Sequence, residues 1–392
     1  MPRIPALLLN LGHALDHLFL LIFATAVGAI ASDFGVERWE DLMPYAVGAF
    51  FMFGVGSVPA GKLGDLWGRR KMMLVFFFGI GLSSIAVAFC HSPLQMAVAL
   101  TVLGVFSAIY HPVGIPMLLQ KATRPGVTIG FNGLAGNLGI ALAALSTGFL
   151  VKYFGWRMAF VAPGVVSILA GFLFALTAPA EASAPARRAA STVHLPRDLA
   201  VRTFLVMVAS STTGSLLFNI TTNGNPQMLS ERLAGIVSDP ASLGLLMALV
   251  YAVASLAQVG VGRLIDRYPV KPLFLGIVST QIVLFGFAAQ SEGWLWYACA
   301  IGYMMSVFGA IPFTDAMVVR YIDDSMRSRV SGVRIAISFG ISSLAVYLLG
   351  PAVKASGFTQ LLLAMACIAV LSTLIVVCLP GESRMRAAMQ AG

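Results

Sequence analysis

The segment NLGHALDHLF near the amino end sets His13, Asp16 and His17 at positions i, i+3 and i+4, which share one face of a helix. A carboxylate one turn from two imidazoles can take up and release a proton near neutral pH, because each group shifts the other's protonation equilibrium. A third imidazole, His111, stands in AIYHPVGIP. There Pro112 and Pro116 each remove a backbone donor and permit a helix to bend. Three chemistries fit such a set: proton handling, polar contacts that hold helices together, and metal ligation. Histidines at i and i+4 do occur in zinc sites. No further acidic residue or cysteine converges on these in the sequence, so no metal is expected. Asp16, His13, His17 and His111 are read as candidates for proton coupling.

The elements that must position them are membrane-spanning helices. The chain has 392 residues, 58% of them apolar and only 10% charged, against about 25% charged in an ordinary soluble domain. Apolar runs long enough to cross a hydrocarbon core of about 30 Å recur throughout. Continuous runs argue for helices, since a barrel strand would alternate. The runs predict twelve spans, at 6–30, 43–63, 72–91, 95–120, 127–151, 157–179, 201–226, 242–263, 272–290, 294–319, 329–352 and 358–379. With the amino terminus inside, 19 of the 25 basic residues fall on the cytoplasmic side, five fall opposite, and Arg334 lies within a helix. That bias places both termini in the cytoplasm. It also assigns the net charge of +9 to membrane topology and not to nucleic acid. The first apolar stretch is not expected to be a cleaved signal, because His13, Asp16 and His17 stand in its middle. Cys90, Cys299, Cys367 and Cys378 lie in or beside spans with no C-x-x-C spacing and read as small buried apolar residues.

Ionisable groups at bilayer depth are costly and mark functional sites. Of the 16 acidic residues only Asp16 and Asp315 fall well inside predicted spans. Asp315 and Arg334, on successive antiparallel helices, are expected at similar depth. They could form a structural pair or recognise a charged substrate. Asn132, Asn137, Asn219, Asn223, Asn225 and Gln258 could line a cavity or bond between helices. Neither a phosphate-binding loop, a nucleophile elbow nor a zincin motif is present, so no enzyme and no cofactor are expected.

The polar stretch at 181–200 reads as a cytoplasmic linker between a six-helix unit at 1–180 and a second at 201–380, with a tail at 381–392. The units repeat. GKLGDLWGRRK at 61 returns as GRLIDRYPVKP at 262, aligning Gly61 with Gly262 and Asp65 with Asp266, and Gly148, Lys152 and Gly155 align with Gly350, Lys354 and Gly357. Such a parallel duplication is typical of secondary transporters.

On these residues the chain resembles the major facilitator superfamily. Gly61, Leu63, Asp65, Gly68, Arg69, Arg70 and Lys71 match the family's loop after the second helix, with Leu66 where a basic residue is usual, and GWRMAF at 155 matches its segment after the fifth. The resemblance implies twelve transmembrane helices in two six-helix bundles. It also implies a gating role for Gly61, Asp65, Gly68, Arg69 and Arg70, with Asp266 as the repeat of Asp65. Asn219, Asp315, Arg334, Asn132 and Asn137 are the substrate-cavity candidates, and because helices 1, 4, 7 and 10 line the cavity in that family, Asn219 comes first among the amides. YHP and the His/Asp face of the first helix look like fosmidomycin-resistance-type exporters. The early helix-4 Arg and the helix-5 Gly-Pro pair of drug/proton antiporters are missing.

The resulting expectation is a monomeric, proton-coupled exporter of a small organic molecule in a bacterial inner membrane. Uptake of an organic anion recognised by Arg334 and His111, or a membrane sensor on the same fold, are the alternatives.

Overall fold

The computed structural model describes residues 3–120, 125–179, 196–321 and 324–381. Most of the expected linker at 181–200, the tail beyond 381, and Lys121, Arg124, Arg187, Arg188, Arg384 and Arg386 lie outside the described residues.

All secondary structure among the described residues is helical. The helices are α1 (Arg3–Asp33), α2 (Val47–Trp67), α3 (Arg69–Val87), α4 (Pro93–Ser107), α5 (Ile115–Leu119), α6 (Pro125–Phe154), α7 (Trp156–Thr177), α8 (Arg197–Arg232), α9 (Pro240–Arg267), α10 (Val270–Ala289), α11 (Gly293–Tyr321) and α12 (Asp324–Val377). α4 and α5 are the two parts of one span, joined through a π-helical turn at Tyr110–Gly114. Among the described residues, eleven stretches are long and apolar enough to cross a membrane. The last, α12, holds two crossings, because its backbone turns at Gly357 (φ 75°, ψ 173°). The protein is thus an all-α polytopic membrane protein of twelve spans, as predicted.

Helix boundaries follow from local chemistry. Ser92 and Asp239 cap the starts of α4 and α9 by accepting from the backbone N–H groups of Gln95 and Ser242, and proline follows each, where no N–H is needed. Gly155 (φ 82°, ψ 163°) and Gly357 take the same left-handed conformation, one full repeat apart. Only glycine adopts that conformation without strain, and at both places one crossing ends and the next begins at once.

α1 packs on α6 and α7, and α3 on α4 and α7; α8 packs on α11 and α12, and α10 on α11 and α12. α7 leaves Val165, Val166, Leu169, Phe172, Leu173 and Leu176 exposed, an apolar face suited to lipid. The first six spans meet the last six chiefly where α6 packs on α9 and α2 on α12. One end of the assembly, here the basic end, carries Arg69, Arg70, Arg202 and Lys271. Each of these donates to backbone carbonyls within its own half, as in Arg70 to Ala175 and Ala178, and Lys271 to Val377 and Leu379.

Candidate functional site

The chemistry-bearing residues of the first and fourth spans meet in one cluster. Pro112 cannot donate to the carbonyl one turn back, and neither can Pro116. The backbone there widens into the π turn at Tyr110–Gly114, a feature frequent at functional sites. The turn brings His111 beside α1. Its Nδ1 lies 3.3 Å from Asp16 Oδ2, while Ser107 donates its hydroxyl to Asp16 Oδ1. Asp16 is wholly buried, whereas the His111 side chain is 22% exposed. The carboxylate is therefore reached from outside through its imidazole partner.

His13 is held from the opposite side. Its Nδ1 stands 2.7 Å from the backbone carbonyl of Asn132 on α6. A carbonyl only accepts, so Nδ1 carries the proton and Nε2 of the neutral ring is an acceptor. Nε2 of His17 lies 3.2 Å from it and donates. Tyr110 stacks on the His13 ring at 4.8 Å between centroids. It donates its hydroxyl to the Leu9 carbonyl at 2.7 Å and accepts from the Asn132 amide at 2.7 Å. The Asn132 amide also donates to Asn10 at 3.0 Å. Gly136 makes the ring's position sterically accessible, since a Cβ there would fall 2.7 Å from His13 Nε2.

Asn137 donates to Gln258, bridging α6 and α9 across the two halves. Asp315 and Arg334 lie 2.6 Å apart as an ion pair, and Arg334 also donates to Thr314 at 2.5 Å. The arginine is buried and the Asp315 side chain 61% exposed. Asn219 is buried with its amide turned to the Ser215 carbonyl of its own helix, and Asn223 repeats that arrangement on Asn219. Asn225 accepts from Tyr303 at 2.9 Å. The first-favoured amide thus stands apart from the histidine cluster, while Asn132 is part of it.

Among the gating candidates, Gly61 lies against Pro112, where a Cβ would come within 3.2 Å of the proline Cβ. Gly68 turns the chain between α2 and α3 with φ 95°. Arg69 donates to the Pro116 carbonyl at 3.3 Å. Asp65 and its repeat Asp266 are exposed.

The other end is where the halves interlock, and the repeat reappears there as geometry. Lys152 at the end of α6 pairs with Asp239 at 2.8 Å, and Lys354 pairs with Asp41 at 2.6 Å. One turn away on each helix, Gly148 abuts the Pro240 carbonyl and Gly350 abuts the Glu40 carbonyl. Trp39 stacks on Phe358 and Gln227 donates to the Ala24 carbonyl at 3.2 Å. Nearer the middle, Phe53 contacts both Phe339 and His111. Asp239 precedes its span. The hydrogen bond from Lys152, and after it that from Ser242, holds its carboxyl below the usual range.

Sequence reasoning did not name Ser107, Tyr110 or Asn10, nor Asp41 and Asp239 as partners of the paired lysines. A hydroxyl four residues before His111 was the available signal for Ser107, since i and i+4 share a helix face.

A family model described as Major Facilitator Superfamily matches residues 9–229. The tetracenomycin C resistance and export protein of Streptomyces glaucescens is 30% identical over 166 residues, 41% of this chain and only 30% of that relative's length. The multidrug resistance protein MdtG of Escherichia fergusonii is 23% identical over 89% of this chain and 86% of its own. Among solved structures, a D-xylose–proton symporter superposes with a TM-score of 0.75 at 16% identity, covering 95% of this chain and 96% of that one.

Proposed function

From its membership of the major facilitator superfamily, to which this chain belongs, we propose that the protein is a proton-coupled exporter of small organic molecules that works by alternating access. The observation that carries this reading is the position of the Asp16 cluster, linked through Phe53 and Phe339 to the inner margin of the interlocked end. A group placed there can sense whether the halves are closed above it. Residues 1–180 and 201–380 are taken as the two moving bodies. With the basic end in the cytoplasm, the interlocked end faces outward and this conformation faces inward. The setting is a bacterial plasma membrane, with both termini inside and the chain acting as a monomer.

In the working cycle Asp16 exchanges a proton through His111. His13, His17 and Tyr110 are the other titratable groups facing it, and Ser107 donates to the ionised carboxylate. Export is favoured over uptake because two of the aligned relatives carry resistance or export names. Anion uptake would need a free cation, and Arg334 is already engaged by Asp315 and Thr314.

The test is flux in proteoliposomes containing EDTA, with a pH dye inside and a panel of amphipathic organic compounds outside. Asp16→Asn keeps size and hydrogen bonding while removing ionisation, so gradient-driven flux should vanish and exchange without a gradient should persist. His17→Gln should shift the pH dependence only. Driven flux retained in Asp16→Asn, with expression and thermal stability matched, rejects the proton-carrier role. The direction of compound movement relative to protons separates export from uptake.

A further inference from the structure

The sequence brings no further acidic residue or cysteine to the three histidines, so by itself it predicts no metal. The fold supplies the missing parts. One ring nitrogen from each of His13, His17 and His111 lies within 4.8 Å of the others. Nε2 of His13 and Nε2 of His17 are 3.2 Å apart, close to the separation of about 3.3 Å between two nitrogens bound at 2.0–2.1 Å on a tetrahedral zinc. Two of the three rings are also oriented from behind. His13 Nδ1 faces the Asn132 carbonyl and His111 Nδ1 faces the Asp16 carboxylate. His111 is thereby left with Nε2 for a ligand, and His13 Nε2 becomes free to ligate when the His17 ring carries its proton on Nδ1 and gives up the hydrogen bond between them. This is the outer arrangement in which metal-bound imidazoles are held.

We propose that His13, His17 and His111 bind one divalent first-row transition ion of the zinc type, with Asp16 and the Asn132 carbonyl as outer partners. Three neutral imidazoles without carboxylate donors suit zinc, nickel or cobalt and not magnesium or calcium. The widest nitrogen separation exceeds the tetrahedral value by about 1.5 Å, a closure available to His17 and His111 by side-chain rotation because neither ring is fully enclosed. Three protein ligands leave a fourth position for water or for a donor group of a transported molecule. The inference concerns the same cluster as the transport reading, but binding requires neither a direction nor a coupling of transport.

The experiment uses the purified full chain with any polyhistidine tag removed and stripped with EDTA. Co²⁺ is titrated while visible d–d absorption is recorded, and Zn²⁺ is then added in competition. The unaltered chain should show one saturable equivalent with intense tetrahedral-type absorption, displaced by Zn²⁺. His13→Gln and His111→Gln should each lose that spectrum, and Asp16→Asn should bind about 10–100-fold more weakly. His91→Gln, in the connection between α3 and α4, should match the unaltered chain. His17→Gln, at the less enclosed ring, answers the same question should the buried His13 variant fail to fold. No saturable spectrum in the unaltered chain overturns the proposal, and so does a full spectrum in any folded imidazole variant. Failure here leaves the EDTA-containing flux assay unaffected, and loss of flux there leaves the spectrum unaffected.

Discussion

Replacing Gly148 and Gly350 together by alanine should drive the interlocked end apart. A Cβ on Gly148 would collide with the Pro240 carbonyl and stand 3.0 Å from Gly244 Cα; one on Gly350 would collide with the Glu40 carbonyl and stand 2.9 Å from Met43 Cβ. The obstructing atoms are mostly backbone and cannot rotate away, so relief requires the halves to separate. Overpacking of this kind costs about 1–3 kcal/mol, which is roughly a 5- to 150-fold shift between two conformations. Alanine also favours the helix over glycine by about 1 kcal/mol, but that gain is present in both conformations and cancels from the equilibrium. The two collisions are relieved by one rigid movement, so their effects should not add. The assay places spin labels at Glu37 and Ser356, both exposed and on opposite halves, after the four native cysteines are replaced. The distance distribution should gain a longer component in the double variant. An unchanged distribution refutes the reasoning, whether thermal stability is preserved or lost.

The Lys152–Asp239 pair should respond to acid. Because the lysine lowers the Asp239 pKa, its contribution is full above the ordinary carboxylate range and is lost as pH falls through the lowered value. The longer spin-label distance should appear only there, whereas in Lys152→Gln, which lacks the pair at every pH, it should be present without acid. Asp65→Asn should enrich the present conformation and slow turnover, because an exposed Asp65 contributes nothing here and its helix-terminal contact, worth about 0.3–2 kcal/mol, belongs to the opposite state. Unchanged turnover and labelling would count against that. Asp315→Asn should lower thermal stability by about 1–2 kcal/mol, discounted for its exposure, by weakening the buried guanidinium's charged partner. Arg334→Met combined with it should recover part of the loss, and a double variant no more stable than the single one contradicts this.

The spans and their order were legible because twenty-residue apolar runs admit few alternatives in lipid. The repeat was legible because glycine and lysine recur in fixed register. What those repeated residues do was not legible. Lys152 and Lys354 were visible only as matching positions of the repeat, since their partners Asp239 and Asp41 are distant in sequence and belong to the other half. The similar depth of Asp315 and Arg334 was readable, as both are counted from the same membrane face, but their pairing was one of two alternatives that depth left open. That the Asn219 amide turns to the Ser215 carbonyl of its own helix was not legible, because family position says which helix lines a cavity and not where an amide on it points. Asn132 joins the histidines through a carbonyl, which every residue possesses and no side-chain pattern reveals.

The duplication also separates two tasks within the fold. Helix-end glycine, lysine and the left-handed turn are retained in both halves, so the interlock closes by two equivalent contacts about a pseudo-twofold axis. The reactive cluster has no counterpart: at the repeat offset, Asp16 falls on Leu217 or Phe218, and His111 on Pro312 or Phe313. On the proposed alternating-access reading, a movement that needs both halves would therefore be governed by chemistry in one of them. Any ion or proton bound at the α1 cluster biases a symmetric closure from one side only. For that reason the glycine variants should change how often the halves part, while changes at Asp16 should alter what must bind or leave before they do.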